Sequence, residues 1–144
     1  MNHFNIAVDG PAGAGKSTIA KLVAKELGFV YVDTGAMYRA MALYFLRKGV
    51  DPKEAEEIER SCPEVDVTIR YQDGVQQVLL NGEDVSGLIR TEEVGNMASV
   101  SSANPKVREH LLKLQRTLAA SNDVVMDGRD IGTTILPDAE VKIY

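Results

Sequence analysis

Sixteen basic and twenty-one acidic side chains give this 144-residue chain a net charge of -5, the wrong sign for a protein whose main work is gripping a nucleic-acid backbone. Folding at this length buries roughly two-thirds of the unfolded surface, enough for one core. Cys62 is the only cysteine and His3 and His110 the only histidines, so no internal disulfide and no zinc-type ligand set is expected.

"MNHFNIAV" shows no secretory leader, and no apolar run approaches the roughly 20 residues of a membrane span, so a cytoplasmic protein is expected. Within that opening, "FNIAV" is a short apolar run ending at Asp9, which predicts a strand buried on both faces. From Lys16 the period changes: Ile19, Leu22, Val23 and Leu27 recur at three and four residues and Gly28 supplies a stop, predicting one amphipathic helix. "FVYVD" predicts a second strand, completing a βαβ unit with a parallel sheet and a right-handed crossover. "TGAMYRAMALYFLRKG" reads as a second helix with a wide apolar stripe, from Met37 through Leu46, closed by Gly49. Asp51 before Pro52 predicts an N-cap and first helical residue for the short acidic helix "PKEAEEIER".

From Val65 the period falls to two. "VDVTIRY", "VQQVLL" and "EDVSGLI" are separated by Asp73-Gly74 and Asn81-Gly82, strong hairpin signals that predict a small antiparallel meander inserted into the α/β fold. "TEEVGNMASVSSA" and "PKVREHLLKLQRTLAAS" read as helices, the second with Val107, Leu111, Leu114 and Leu118 on one stripe. "DVVMD" is a further buried strand leading into "GRDIG", and "AEVKIY" a last one. The expected architecture is a P-loop three-layer α/β/α fold with a parallel sheet, carrying the inserted meander. Cys62 is expected to pack inertly, and both histidines to lie at the surface.

Gly10, Gly15, Lys16 and Ser17 match the pattern GxxxxGK[ST], between a predicted strand and a predicted helix, the context that makes it a phosphate loop. Backbone N–H groups in such a loop turn inward, adding to the positive end of the helix that follows. Lys16 would span the β and γ phosphates of a nucleotide, and the Ser17 hydroxyl would hold Mg²⁺. Asp33 and Asp127 end predicted strands and so belong at the carboxyl edge of the sheet, where open α/β folds bind ligands. Asp127 there suits a carboxylate standing behind magnesium's own ligands. Arg39, Arg129 and Asp130 cluster around these carboxylates, with Arg108 nearer the middle of its helix, and arginines beside loops at that edge are suited to grip a second phosphate through paired N–H bonds. Two phosphate sites point to transfer rather than hydrolysis.

At "GPAGAGKST", "DTGAMYR", "NGEDVSGLIRTEEVGNMAS", "VREHLLKLQR" and "DGRDIGT" the chain resembles the bacterial cytidylate kinases of the nucleoside monophosphate kinase family, from Ile6 to Tyr144. The resemblance implies ATP as donor, CMP or dCMP as acceptor, Mg²⁺ as the metal, and no nucleic-acid or membrane partner; a monomer is expected. It implies that Gly10, Pro11, Ala12, Gly13, Ala14, Gly15, Lys16, Ser17 and Thr18 hold the ATP phosphates. It implies that Thr34, Arg39, Ser99, Arg108, Arg129 and Asp130 bind CMP, with Arg39 and Arg129 on its phosphate. Ser99, Arg108 and Asp130 fall at the positions that contact cytosine. Lys16, Arg39 and Arg129 are thereby assigned to catalysis, Ser17 and Asp127 to the metal. Residues 1–36 and 118–144 would form the P-loop core, and 37–117 the monophosphate-binding lobe, with the meander at about 65–88. Family members continue through an arginine-rich lid, so 144 residues lacking it are expected to catalyse poorly, lid arginines being worth roughly 10³–10⁵ in rate. Two other readings stand beside this one. Another small-molecule P-loop kinase, acting on a different monophosphate or on shikimate, would share the loop. A nucleotide-binding switch would share it too, although the Asn-Lys-x-Asp guanine signature of GTPases is not found here.

Overall fold

Four apolar runs pair in parallel as one sheet, in the order β2-β6-β1-β7. The computed structural model describes residues 3–10, 15–72 and 75–143. Its elements are β1 (Asn5–Asp9), α1 (Lys16–Leu27), β2 (Val30–Asp33), α2 (Thr34–Lys48), α3 (Ala55–Ser61), β3 (Val67–Gln72), β4 (Val75–Leu80), β5 (Glu83–Asp84), α4 (Glu92–Ser101), α5 (Pro105–Ser121), β6 (Val124–Gly128) and β7 (Val141–Ile143). The chain divides into two compact units, Met1–Thr34 with Gln115–Tyr144, and Gly35–Leu114. The fold is α/β, with the parallel sheet in the first unit and a separate antiparallel sheet, β3-β4-β5, in the second.

In the first unit β6 lies between β1 and β2. Asn5 to Asp9 run beside Val124 to Gly128, and Val30 to Asp33 beside Val124 to Asp127. β1, β2 and β6 are nearly all apolar because both faces are covered; Ala7, Val32, Val124, Val125 and Met126 are fully buried, whereas β7 at the edge is exposed. Helix α1 packs on this sheet through Ala20 and Ala24, which cluster with Ile6, Val8, Tyr31 and Val125. Its buried face differs from the expected one. Ile19 and Leu22 are each 56% exposed, so the helix is turned by about one residue, roughly 100°, from the stripe that side-chain hydropathy marks. Two alanines one turn apart let the helix backbone approach the strands closely, and alanine contributes little to a hydropathy pattern.

In the second unit α2 buries Met37, Ala40, Met41, Ala42 and Phe45 completely. The acidic helix starts at Ala55 rather than Pro52, because Asp51 is spent on a turn: its carboxylate accepts the Lys53 N–H and its carbonyl the Glu54 N–H, both at 2.9 Å. Such side-chain turns compete with capping. The expected hairpin at Asn81-Gly82 forms with φ of 48° and 86°, the left-handed pair that this dipeptide favours. Asp73-Gly74 lies outside the described residues. The third strand shrinks to Glu83–Asp84 because the Ser86 hydroxyl, held by Asp84 at 2.6 Å, accepts the Val78 N–H at 2.9 Å and ends the ladder. His110 is half-buried rather than on the surface, its Nε2 2.6 Å from the Val65 carbonyl. Cys62 is buried, its thiol donating to the Ile58 carbonyl at 3.3 Å.

Candidate functional site

The order β6-β1 sets the site. Both strands end at the same edge, Asp9 beside Gly128 and Val8 beside Asp127, so the loop after β1 and the loop after β6 emerge side by side. Gly10 takes φ 147° and donates its N–H to the Gly128 carbonyl at 3.2 Å. A Cβ on Gly10 would lie 3.2 Å from Lys16 Cδ, so this glycine makes room for the lysine stem. Pro11, Ala12, Gly13 and Ala14 lie outside the described residues. Gly15, at φ 76°, opens α1 with no side-chain cap, and the first turn holds no acidic residue. Its leading N–H groups are thus left for an anion. Ser17 and Thr18 are exposed in that turn.

Lys16 reaches back across the loop. Its ammonium pairs with Asp127 Oδ1 and donates to the Gly128 carbonyl at 3.3 Å; the two side chains are 15% and 4% exposed. The other carboxylate oxygen of Asp127 accepts the Tyr31 phenol at 2.8 Å, and the Thr34 hydroxyl donates to the Asp127 carbonyl at 3.1 Å. Gly128 allows that last contact, since a Cβ there would collide with Thr34 Oγ1. Tyr31 has its phenol held well above its usual pKa, chiefly by burial, then by the hydrogen bond to Asp127 and the nearby Asp33 charge. It stays protonated and remains a donor. Asp33 stands opposite Asp127 in the β2–β6 register.

A second buried carboxylate shapes the loop after β6. Asp9, 5% exposed, accepts the Ile131 N–H at 2.5 Å and the Gly132 N–H at 2.8 Å. These begin a π turn, Ile131–Ile135, in which the Asp130 carbonyl accepts from Thr134 and Ile135 at 3.0 and 3.2 Å. Arg116 closes its far end on the carbonyls of Thr134 and Ile135. Asp130 takes the left-handed conformation at φ 57°, a placement costing about 1–2 kcal/mol for most residues and tolerated by aspartate. Both Arg129 and Asp130 are exposed on this clamped loop.

The first unit therefore brings together Gly10, Gly15, Lys16, Ser17, Thr34, Asp127, Arg129 and Asp130 around one sheet edge. Arg39, Ser99 and Arg108 belong to the second unit. Arg39, exposed on α2, donates to the Ile89 carbonyl at 3.3 Å, and its guanidinium lies over Gly95 of α4, 3.8 Å from where a Cβ would stand. Ser99 on α4 and Arg108 on α5 are exposed. The Arg108 charge acts on Tyr38, partly offsetting the rise that burial causes in that phenol's pKa.

Sequence reasoning missed two residues of the site. Asp9 reads as a strand end and Tyr31 as strand filler. The available signal for Tyr31 was parity, since it lies two residues before Asp33 and so shares its face. For Asp9 no local signal exists, because its partners are more than 120 residues away.

Residues 6–144 match the family profile described as Cytidylate kinase. Curated relatives named cytidylate kinase include one from Pelotomaculum thermopropionicum, 53% identical over all of this chain and 65% of its own length. One from Caldicellulosiruptor bescii is 51% identical over all of this chain and 64% of its own. One from Bacillus cereus is 50% identical over 98% of this chain and 63% of its own. The chain thus spans just under two-thirds of the length of the relatives it matches.

Proposed function

Because this chain belongs to the cytidylate kinase family, we propose that the whole protein transfers the γ-phosphoryl group of ATP to CMP or dCMP, giving ADP and CDP or dCDP. The observation that carries the proposal is the buried pairing of Lys16 with Asp127 at the shared end of β1 and β6. A lysine from a glycine-rich loop and a carboxylate are held together where open α/β sheets bind nucleotides. Residues Gly10 to Thr18 take the triphosphate. Lys16 leaves Asp127 Oδ1 for the β and γ oxygens, exchanging one anionic partner for another, so its charge is never left bare in a buried setting.

Among the described residues no three His, Cys, Asp or Glu side chains gather to hold a metal. The Ser17 hydroxyl and the Asp127 carboxylate are hard oxygen donors, which suit Mg²⁺, an ion that keeps several waters and is bound through few protein oxygens plus substrate phosphates. Of the two, the Ser17 hydroxyl is assigned to hold the ion and the Asp127 carboxylate to stand behind its ligands. When bound, the ion supplies charge neutralisation across the β and γ phosphates.

The acceptor assignment names Thr34, Arg129 and Asp130 from the first unit and Arg39, Ser99 and Arg108 from the second. Arg39 and Arg129 grip the CMP phosphate in paired N–H bonds, and catalysis is positioning and charge stabilisation, with no covalent enzyme intermediate. An Asp130 carboxylate accepts from the cytosine amino group and repels the uracil carbonyl at the same place. An unpaired polar contact costs about 1–3 kcal/mol, so one such reader discriminates roughly ten- to a hundredfold. Residues 1–36 and 118–144 serve as the donor core and 37–117 as the monophosphate lobe. The proposal includes a monomer working in the cytoplasm. Separately, no helix among the described residues is long and apolar enough to cross a membrane. A panel of acceptors in a coupled ADP-release assay on the whole protein tests the proposal: CMP and dCMP should lead, and preference for UMP or AMP would overturn it.

A further inference from the structure

We propose that Tyr31 is a positioning residue of the donor site, its phenol holding the Asp127 carboxylate in place for Mg²⁺. The inference rests on the assignment of Ser17 and Asp127 to that ion. The β2–β6 register sets Tyr31 opposite Val125 and Asp33 opposite Asp127, so Tyr31 stands diagonally from Asp127 on one face of the sheet, within reach of a long side chain. Its ring packs among Ile6, Val8, Ala20, Ala24 and Val125, with the Lys21 ammonium 5.7 Å above it. The hydroxyl is therefore held before any ligand arrives. It donates to Asp127 Oδ2 at 2.8 Å, using the donor capacity of a phenol.

This arrangement matters once Lys16 moves to phosphate. Asp127 then has Oδ1 free, and a carboxylate turns easily about its last torsion. The phenol on Oδ2 stops that rotation and leaves Oδ1 facing the emptied position. The backbone of Asp127 is held separately by Thr34, so Tyr31 controls the carboxylate alone. Outer partners of metal-holding groups typically contribute ten- to a hundredfold in metal affinity.

The test substitutes Tyr31→Phe, which keeps the ring and removes only the hydroxyl. ATP binding to the 144-residue chain is measured by calorimetry twice, once with Mg²⁺ and once with EDTA. The expected result is a roughly ten- to hundredfold loss of affinity for the magnesium complex with less than about a twofold change for metal-free ATP. Equal loss in both, which a purely structural role would produce, overturns the proposal, as does no loss in either. Ser17→Ala and Asp127→Asn run in parallel. If these weaken the magnesium complex and Tyr31→Phe does not, Tyr31 alone is misassigned; if neither does, the metal assignment falls and the inference with it. Should Tyr31→Phe fail to fold, tyrosine labelled with ¹³C at Cζ in the unmutated chain decides. The Tyr31 resonance should move when Mg²⁺ is added to ATP-saturated protein, and a stationary resonance overturns the proposal.

Discussion

Replacing Asp9 with alanine removes the acceptor for two N–H groups at once. Those of Ile131 and Gly132 lie 2.5 and 2.8 Å from its carboxylate, in a place where Ile131 is fully buried and Asp9 itself 5% exposed. Water does not easily replace the lost oxygen there, and each buried donor left unpaired costs about 1–3 kcal/mol, so the expected loss is about 4 kcal/mol. With an unfolding entropy near 2.1 cal/mol/K per residue, this chain changes stability by about 0.3 kcal/mol per degree at Tm, and Tm should fall by roughly 10–15 °C. Asp9→Asn keeps one oxygen but turns an amide N–H toward a backbone N–H, and should lose about half as much. Calorimetry gives the Tm values, and hydrogen exchange followed by NMR locates the damage: the amides of Ile131 and Gly132 should lose protection before the rest of the sheet. Unchanged protection at those two amides in Asp9→Ala, or a Tm within about 3 °C of the parent, would refute the reasoning.

Lys16→Met in the whole protein should lower kcat by at least about 10²-fold, the usual cost of losing one group that stabilises transition-state charge, while CMP binding survives; full activity would remove Lys16 from the donor site. Asp130→Ala should bring CMP and UMP within about tenfold of each other, and unchanged selectivity in the acceptor panel counts against its role as a base reader. Glu64 has its carboxyl held below the ordinary value of 4.5, first by the Lys48 hydrogen bond and then by Tyr44. Its contribution to stability is therefore present above pH 4.5 and lost as pH falls through the lower folded-state value. In denaturant titrations the gap between the parent and Glu64→Gln should shrink below pH 4.5, and a gap constant from pH 7 to 3 would contradict it. Burial, with Glu59 assisting, raises the Cys62 thiol above its ordinary 9.0, so a thiol reagent at pH 8 should label it only as fast as the chain unfolds; immediate labelling of the native protein would show the site to be open.

Several features were legible because their physics is local. The glycine loop declares itself, since only glycine takes φ near 147° at Gly10 while leaving space for the Lys16 stem. Asn81-Gly82 names its own turn. Period two and period 3.6 separate strands from helices without any knowledge of partners. Where local competition was close, reading failed: Asp51 chose a turn over a cap, and the Ser86 side chain took a ladder donor that period two had allotted to a third strand. The buried face of α1 was hidden for another reason, because contact through Ala20 and Ala24 depends on how near the sheet lies and not on how apolar the residues are.

By itself the sequence determined where the strands and helices lie that carry the residues proposed to bind phosphate. Only the tertiary structure decided that β6, arriving more than ninety residues after β2, inserts between β1 and β2. That insertion puts Asp127 against a lysine 111 residues earlier in the chain, and Asp9 under a loop 122 residues later. Strand order is set by which apolar faces bury best once every strand exists, and no local pattern carries that information. The carboxylates that complete the site therefore acquire their roles only when the sheet closes around them.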